Sequence, residues 1–99
     1  MADNKDTAIS GIKSYVAGAG GHYSGWYVGI ASDPRTRLFN DHAVREKGDC
    51  WIYRLCTSSQ VARDVEDYFI QLGMQGGPGG GDDSSKYVYA YKIAPHTVE

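Results

Sequence analysis

Tyr27, Arg37 and Glu66 are the residue types that phosphodiester cleavage calls on. A phenol handles a proton, a guanidinium offsets phosphoryl charge, and a carboxylate holds a hard cation. Each also has an ordinary structural use. A strand tyrosine is common core or surface material, and a pKa near ~10 makes it a poor base unless a positive charge lies beside it. Arg37 and Asp41 stand one helical turn apart and can pair as an exposed salt bridge, worth well under ~1 kcal/mol. His42 follows Leu38 by four positions, so it can be partly covered, and a lone histidine beside an apolar face is more often structural than catalytic.

These side chains depend on the elements that carry them. Trp26 to Ala31 is aromatic and β-branched and reads as a strand, with Tyr27 facing away from Trp26 and Val28. Asp33 followed by Pro34 is a helix start, with the carboxylate as N-cap, and the helix is expected to run to about residue 44. Leu38, Phe39 and Ala43 mark its buried side. A turn at 45–49 leads to a second strand over 51–56, after which Thr57 or Ser58 caps a longer helix that ends near Gly73. On that helix Val61, Val65, Tyr68, Phe69 and Leu72 form one stripe, while Asp64 and Asp67 take the polar side. Glu66 sits at the boundary, between Ala62 and Ile70 on one row. It can be a surface residue marking that boundary, or a carboxylate at the rim of the core that holds one Mg²⁺.

Upstream, Ala8, Ile9, Ile12, Tyr15 and Val16 recur at helical spacing up to Gly18, and a glycine-rich connection covers 18–25. The run "GGPGGGDDSS" at 76–85 follows a helix, opens a strand and lacks the Lys-Ser or Lys-Thr of a phosphate-binding loop, so it reads as a flexible linker. "YVYAYKI" at 87–93 is a third strand, with Tyr87, Tyr89, Tyr91 and Ile93 on one face. Three short strands and about three helices imply an α+β fold, a small, mainly antiparallel three-stranded sheet flanked by helices.

Composition narrows the functions open to the chain. Ninety-nine residues suit one domain over 1–99. A net charge of −2 argues against tight, indiscriminate nucleic-acid binding, so any such contact is local. Cys50 and Cys56 would lie about 20 Å apart on an extended run, too far for a disulfide within one strand. They match neither a secreted disulfide scaffold nor a zinc site, which favours a reducing compartment. The first ten residues lack a signal pattern and no apolar run approaches the ~20 residues of a membrane span, so the chain reads as soluble and cytoplasmic.

Taken together, the residues over 26–72 resemble the GIY-YIG endonuclease family. Its Tyr-(Val/Ile)-Gly motif stands here as Tyr27, Val28 and Gly29, and its helical arginine follows ten residues after the tyrosine, as Arg37. The family's histidine or tyrosine about one turn on corresponds to His42, five residues past Arg37 rather than four. Its metal-binding glutamate on a later helix corresponds to Glu66. Two parts are missing: the Gly-Ile-Tyr strand ahead of Tyr27, and a late asparagine. The 87–93 strand is therefore expected to fill the vacated sheet position, as a circular permutation would, with Tyr89 or Tyr91 as the second phenol.

The resemblance implies hydrolysis of nucleic acid, with DNA the favoured form, dependent on Mg²⁺ or Mn²⁺. Glu66 would hold the metal and Arg37 would offset phosphoryl charge. Tyr27, its pKa lowered by cationic neighbours, would act on the water, and Arg35, Arg45 and Lys47 would steer phosphate. The alternative is a catalytically silent relative that binds nucleic acid or a protein partner.

Overall fold

The computed structural model describes residues 2–77 and 84–99. Most of the linker reading at 76–85 lies outside them. The first helix, α1 (Lys5–Gly18), is started by Asn4, whose side-chain oxygen accepts the Thr7 N–H at 2.8 Å, and it buries Ala8, Ile12 and Val16. A 3-10 turn at Tyr23–Gly25 leads into β1 (Trp26–Ala31). Asp33 caps α2 (Pro34–Thr36) by accepting the Thr36 N–H at 3.2 Å, with Pro34 in the first turn.

After one α-helical turn the backbone widens into a π-helical segment, Arg37–Asp41, closed by the His42 N–H donating to the Arg37 carbonyl at 2.9 Å. The helix expected to reach residue 44 stops here, because Ala43 adopts φ 57°, a left-handed conformation no helix continues through. Strand β2 (Trp51–Leu55) follows, and Ser58 then caps α3 (Ser59–Gln71) by accepting the Val61 N–H at 3.1 Å. Gly73, at φ 117°, ends that helix, and β3 (Tyr87–Lys92) closes the sheet.

The protein has an α+β fold with a three-stranded sheet ordered β1-β3-β2, antiparallel throughout. The last strand in sequence is thus the central one. Period-two alternation gives the sheet two different faces. Trp26, Val28, Ile30, Val88 and Ala90 pack with the buried stripes of α1 and α3. On the other face Tyr89, Tyr91 and Ala31 pack with Leu38 of the π segment and Val44 just beyond it. The outer edge of β1 is also covered, since the Val28 N–H donates to Gln75 O at 2.9 Å and the Gln75 N–H to Trp26 O at 2.8 Å. Among the described residues no helix is long and apolar enough to cross a membrane. Cys50 and Cys56 are free thiols.

In the register Gly29 pairs with Tyr89, and Tyr27 with Tyr91. A Cβ at position 29 would stand 2.5 Å from the Tyr89 hydroxyl and 2.6 Å from its ring, so the ring occupies the space a side chain would need. Gly29→Ala is expected to displace Tyr89 and to destabilise the protein by about 1–3 kcal/mol, the usual range for overpacking. Urea unfolding measures that loss; a change below a few tenths of a kcal/mol would show that the ring yields freely.

Candidate active site

Tyr27, Arg37, Glu66 and Tyr89 line one cleft of about 330 Å³, with Gly29, Ala31 and Asp33 completing part of its wall. Four elements contribute. Tyr27 rises from β1, Tyr89 from β3, Arg37 from the start of the π segment, and Glu66 from the face of α3 that looks toward β1.

Glu66 is 2 % exposed, as buried as the apolar residues around it on α3. Burial raises its pKa to about 7, Asp67 adds to the rise, and Arg63 only partly opposes it. The loss of hydration at this carboxylate therefore outweighs the nearby Arg63 charge. Asp33 also lines the cleft, but its oxygens accept from the Thr36 N–H and, at 2.8 Å, from the Thr36 hydroxyl. Among the described residues no group of three or more His, Cys, Asp or Glu side chains gathers. Among the described residues Glu66 is the buried carboxylate of the cleft, and one carboxylate can hold a Mg²⁺ or Mn²⁺ ion that keeps most of its waters.

Arg37 faces two partners. Its Nη1 lies 3.5 Å from Asp41 Oδ2 with both side chains about half exposed, so the expected surface pair exists and contributes little. The Tyr89 hydroxyl lies near the guanidinium on its other side, and its influence, with a smaller one from Asp41, holds Arg37 above its usual range.

The phenols differ from expectation in one respect. The pKa of Tyr27 is raised rather than lowered: burial pushes it up, and the charge of Arg37 offsets only part of that. Tyr89, 1 % exposed, is pushed up to about 12 by burial against the opposing pull of Arg37. Both hydroxyls keep their protons near neutral pH. A phenol in that state can take a proton from water only while passing its own onward.

His42 stands where that proton can go. It lies behind Tyr89 rather than in the cleft wall, 3 % exposed, with Nε2 2.8 Å from the Tyr89 hydroxyl. Its ring centroid is 4.8 Å from that of Tyr27, which stacks in turn on Tyr91 at 5.4 Å. Burial lowers its pKa, with Arg37 adding to the effect, so the imidazole is neutral near pH 7. The spacing of five residues from Arg37 is accommodated by the π turn, whose i to i+5 hydrogen bond sets His42 directly after Arg37 on the helical path.

The basic residues do not join this cluster. Arg35 donates to Glu46 at 2.9 Å and lies 5.0 Å from the Phe39 ring, while Arg45 and Lys47 are exposed on the loop before β2; none of the three lines the cleft. Sequence reasoning missed Ser85, buried in the cleft wall, and the backbone of Val98, whose carbonyl is 2.7 Å from His42 Nδ1. A backbone contact carries no signal in residue type.

Neither a family model, nor a curated protein, nor a solved structure matches the chain.

A raised carboxylate pKa has a definite sign in stability. The folded state holds the Glu66 proton up to about pH 7, whereas the unfolded chain releases it near 4.5, so stability falls as pH rises between those values. Wild type is expected to lose on the order of 2–3 kcal/mol relative to Glu66→Gln between about pH 5 and about pH 8. Mg²⁺ should restore part of that loss in wild type only, raising its Tm at the alkaline end. Unfolding curves at the two pH values, with and without Mg²⁺, measure both effects; parallel pH profiles for the two proteins would contradict the burial of a carboxylate here.

Proposed function

We propose that the protein is a small GIY-YIG-like nuclease that hydrolyses phosphodiester bonds in nucleic acid, DNA foremost, with Mg²⁺ or Mn²⁺. The observation carrying this reading is the single cleft shared by Tyr27, Arg37, Glu66 and Tyr89. The central position of β3, which brings Tyr89 across from Gly29, supports the view that this strand takes the place of the missing Gly-Ile-Tyr strand.

Glu66 would be the protein ligand of the metal. A divalent ion bound there supplies charge to stabilise the leaving oxygen. Arg37, with its guanidinium at the cleft wall, neutralises charge developing on the phosphoryl oxygens. The Tyr89 hydroxyl accepts a proton from the attacking water and releases its own to His42 Nε2, 2.8 Å away. The resulting hydroxide attacks phosphorus, the bond to the leaving oxygen breaks, and that oxygen takes a proton from solvent. Tyr27, fixed between His42 and Tyr91, orients the water. Arg35, Arg45 and Lys47 could steer phosphate only from outside the cleft.

Supercoiled plasmid and single-stranded DNA incubated with Mg²⁺ or Mn²⁺ test the reading. Wild type is expected to cut, and Glu66→Ala and Arg37→Ala each to slow cutting by about 10²-fold or more. Absence of cleavage at every metal concentration would instead leave a binding module of the same fold.

A further inference from the structure

The Tyr89 to His42 transfer requires an Nε2 without a proton, and a free imidazole can carry its single proton on either nitrogen. Which nitrogen holds it is decided by the partner each one meets. His42 Nδ1 meets the Val98 carbonyl oxygen at 2.7 Å, much closer than the Tyr91 hydroxyl at 3.3 Å, and a carbonyl can only accept. The proton must then lie on Nδ1.

We propose that Val98 is a positioning residue, whose backbone carbonyl accepts the His42 Nδ1–H and so fixes the tautomer with a bare Nε2 turned to the Tyr89 hydroxyl. With that assignment the 2.8 Å contact has one direction: the Tyr89 O–H donates to Nε2. The same two residues are joined a second time, by the Val98 N–H donating to the His42 carbonyl at 2.8 Å. This pair of bonds holds the ring plane as well as its protonation. The Tyr91 hydroxyl, 3.4 Å from the Val98 oxygen, lies on the same acceptor.

The segment carrying Val98 is itself anchored. A turn over 94–97 is closed by the Thr97 N–H and hydroxyl donating to Ala94 O at 3.0 and 2.9 Å, and His96 meets Asp49 at 2.5 Å. Val98 itself is 57 % exposed, so its own burial gives it little reason to sit here, and the hydrogen bonds of the segment account for its place. Topology makes the arrangement possible. Because β3 is both central and late in sequence, the chain leaving it passes the histidine that serves its tyrosine. Burial and, less strongly, Arg37 keep His42 neutral, the Val98 carbonyl bond, Asp41 and Glu99 work the other way, and Tyr27, Tyr89 and Tyr91 complete its surroundings.

The catalytic meaning of this clamp rests on the nuclease reading, but the tautomer does not and can be read without substrate. In the ¹⁵N-labelled 99-residue chain near pH 7.5, long-range ¹H–¹⁵N spectra report the protonation of each imidazole nitrogen, with His42 identified by its loss in His42→Gln. The expected result is the Nδ1–H form of His42 in about tenfold excess, the weight of one net hydrogen bond. Val98→Ala should leave the ratio unchanged, since it keeps the carbonyl. A chain ending at Thr97 should lose most of the excess and, if cutting is observed, should lower kcat with little change in KM. A 99-residue chain with the proton on Nε2 overturns the proposal, and that spectrum suffices even if the shortened chain fails to fold. A shortened chain that keeps native amide spectra and the Nδ1–H form also overturns it. The expected tautomer in a protein that cuts nothing leaves Val98 in its role and removes the nuclease reading.

Discussion

The cleft depends on the absence of a side chain at position 29. Tyr89 and Gly29 face each other across adjacent strands, and the Tyr89 hydroxyl fills the volume any Cβ there would claim. From that position the hydroxyl meets His42 on one side and the Arg37 guanidinium on the other. Interiors are packed too tightly for such a ring to move aside without consequence. The glycine of "YVG" is therefore a requirement of its cross-strand neighbour, since its own backbone is ordinary extended strand.

Local chemistry made much of the fold legible. Asp33 with Pro34, and Ser58 ahead of an apolar stripe, mark helix starts because caps act over three or four residues. Glu66 could be placed at the edge of the stripe on α3 by counting helical turns, and it lines the cleft while lying among buried neighbours. Non-local features were not legible. The central place of β3, the pairing of Gly29 with Tyr89, and the return of Val98 to His42 arise from contacts between distant parts of the chain. The π turn and the left-handed Ala43 are local, yet neither residue type announces them. The raised pKa of Tyr27 escaped a reading that weighed the charge of Arg37 without the larger effect of burial.

The electrostatics of the cleft follow from the same geometry. Glu66 is buried where Asp67 adds negative charge, and Tyr89 is buried against a cation that only partly restores its acidity. Such placements work against stability and recur where a protein prepares a site for charge it does not itself carry. On the proposed reading, a divalent cation would occupy the Glu66 side and a phosphate the Arg37 side of the cleft of about 330 Å³.

The most direct test is where Mn²⁺ binds. In ¹⁵N-labelled protein titrated with substoichiometric Mn²⁺, paramagnetic broadening is expected first at the amides of Glu66, Gly29 and Arg37, with those around Asp49 and His96 unaffected. Broadening centred on Asp49, or spread evenly over the acidic surface, would contradict a cation site at Glu66 and with it the account of the cleft.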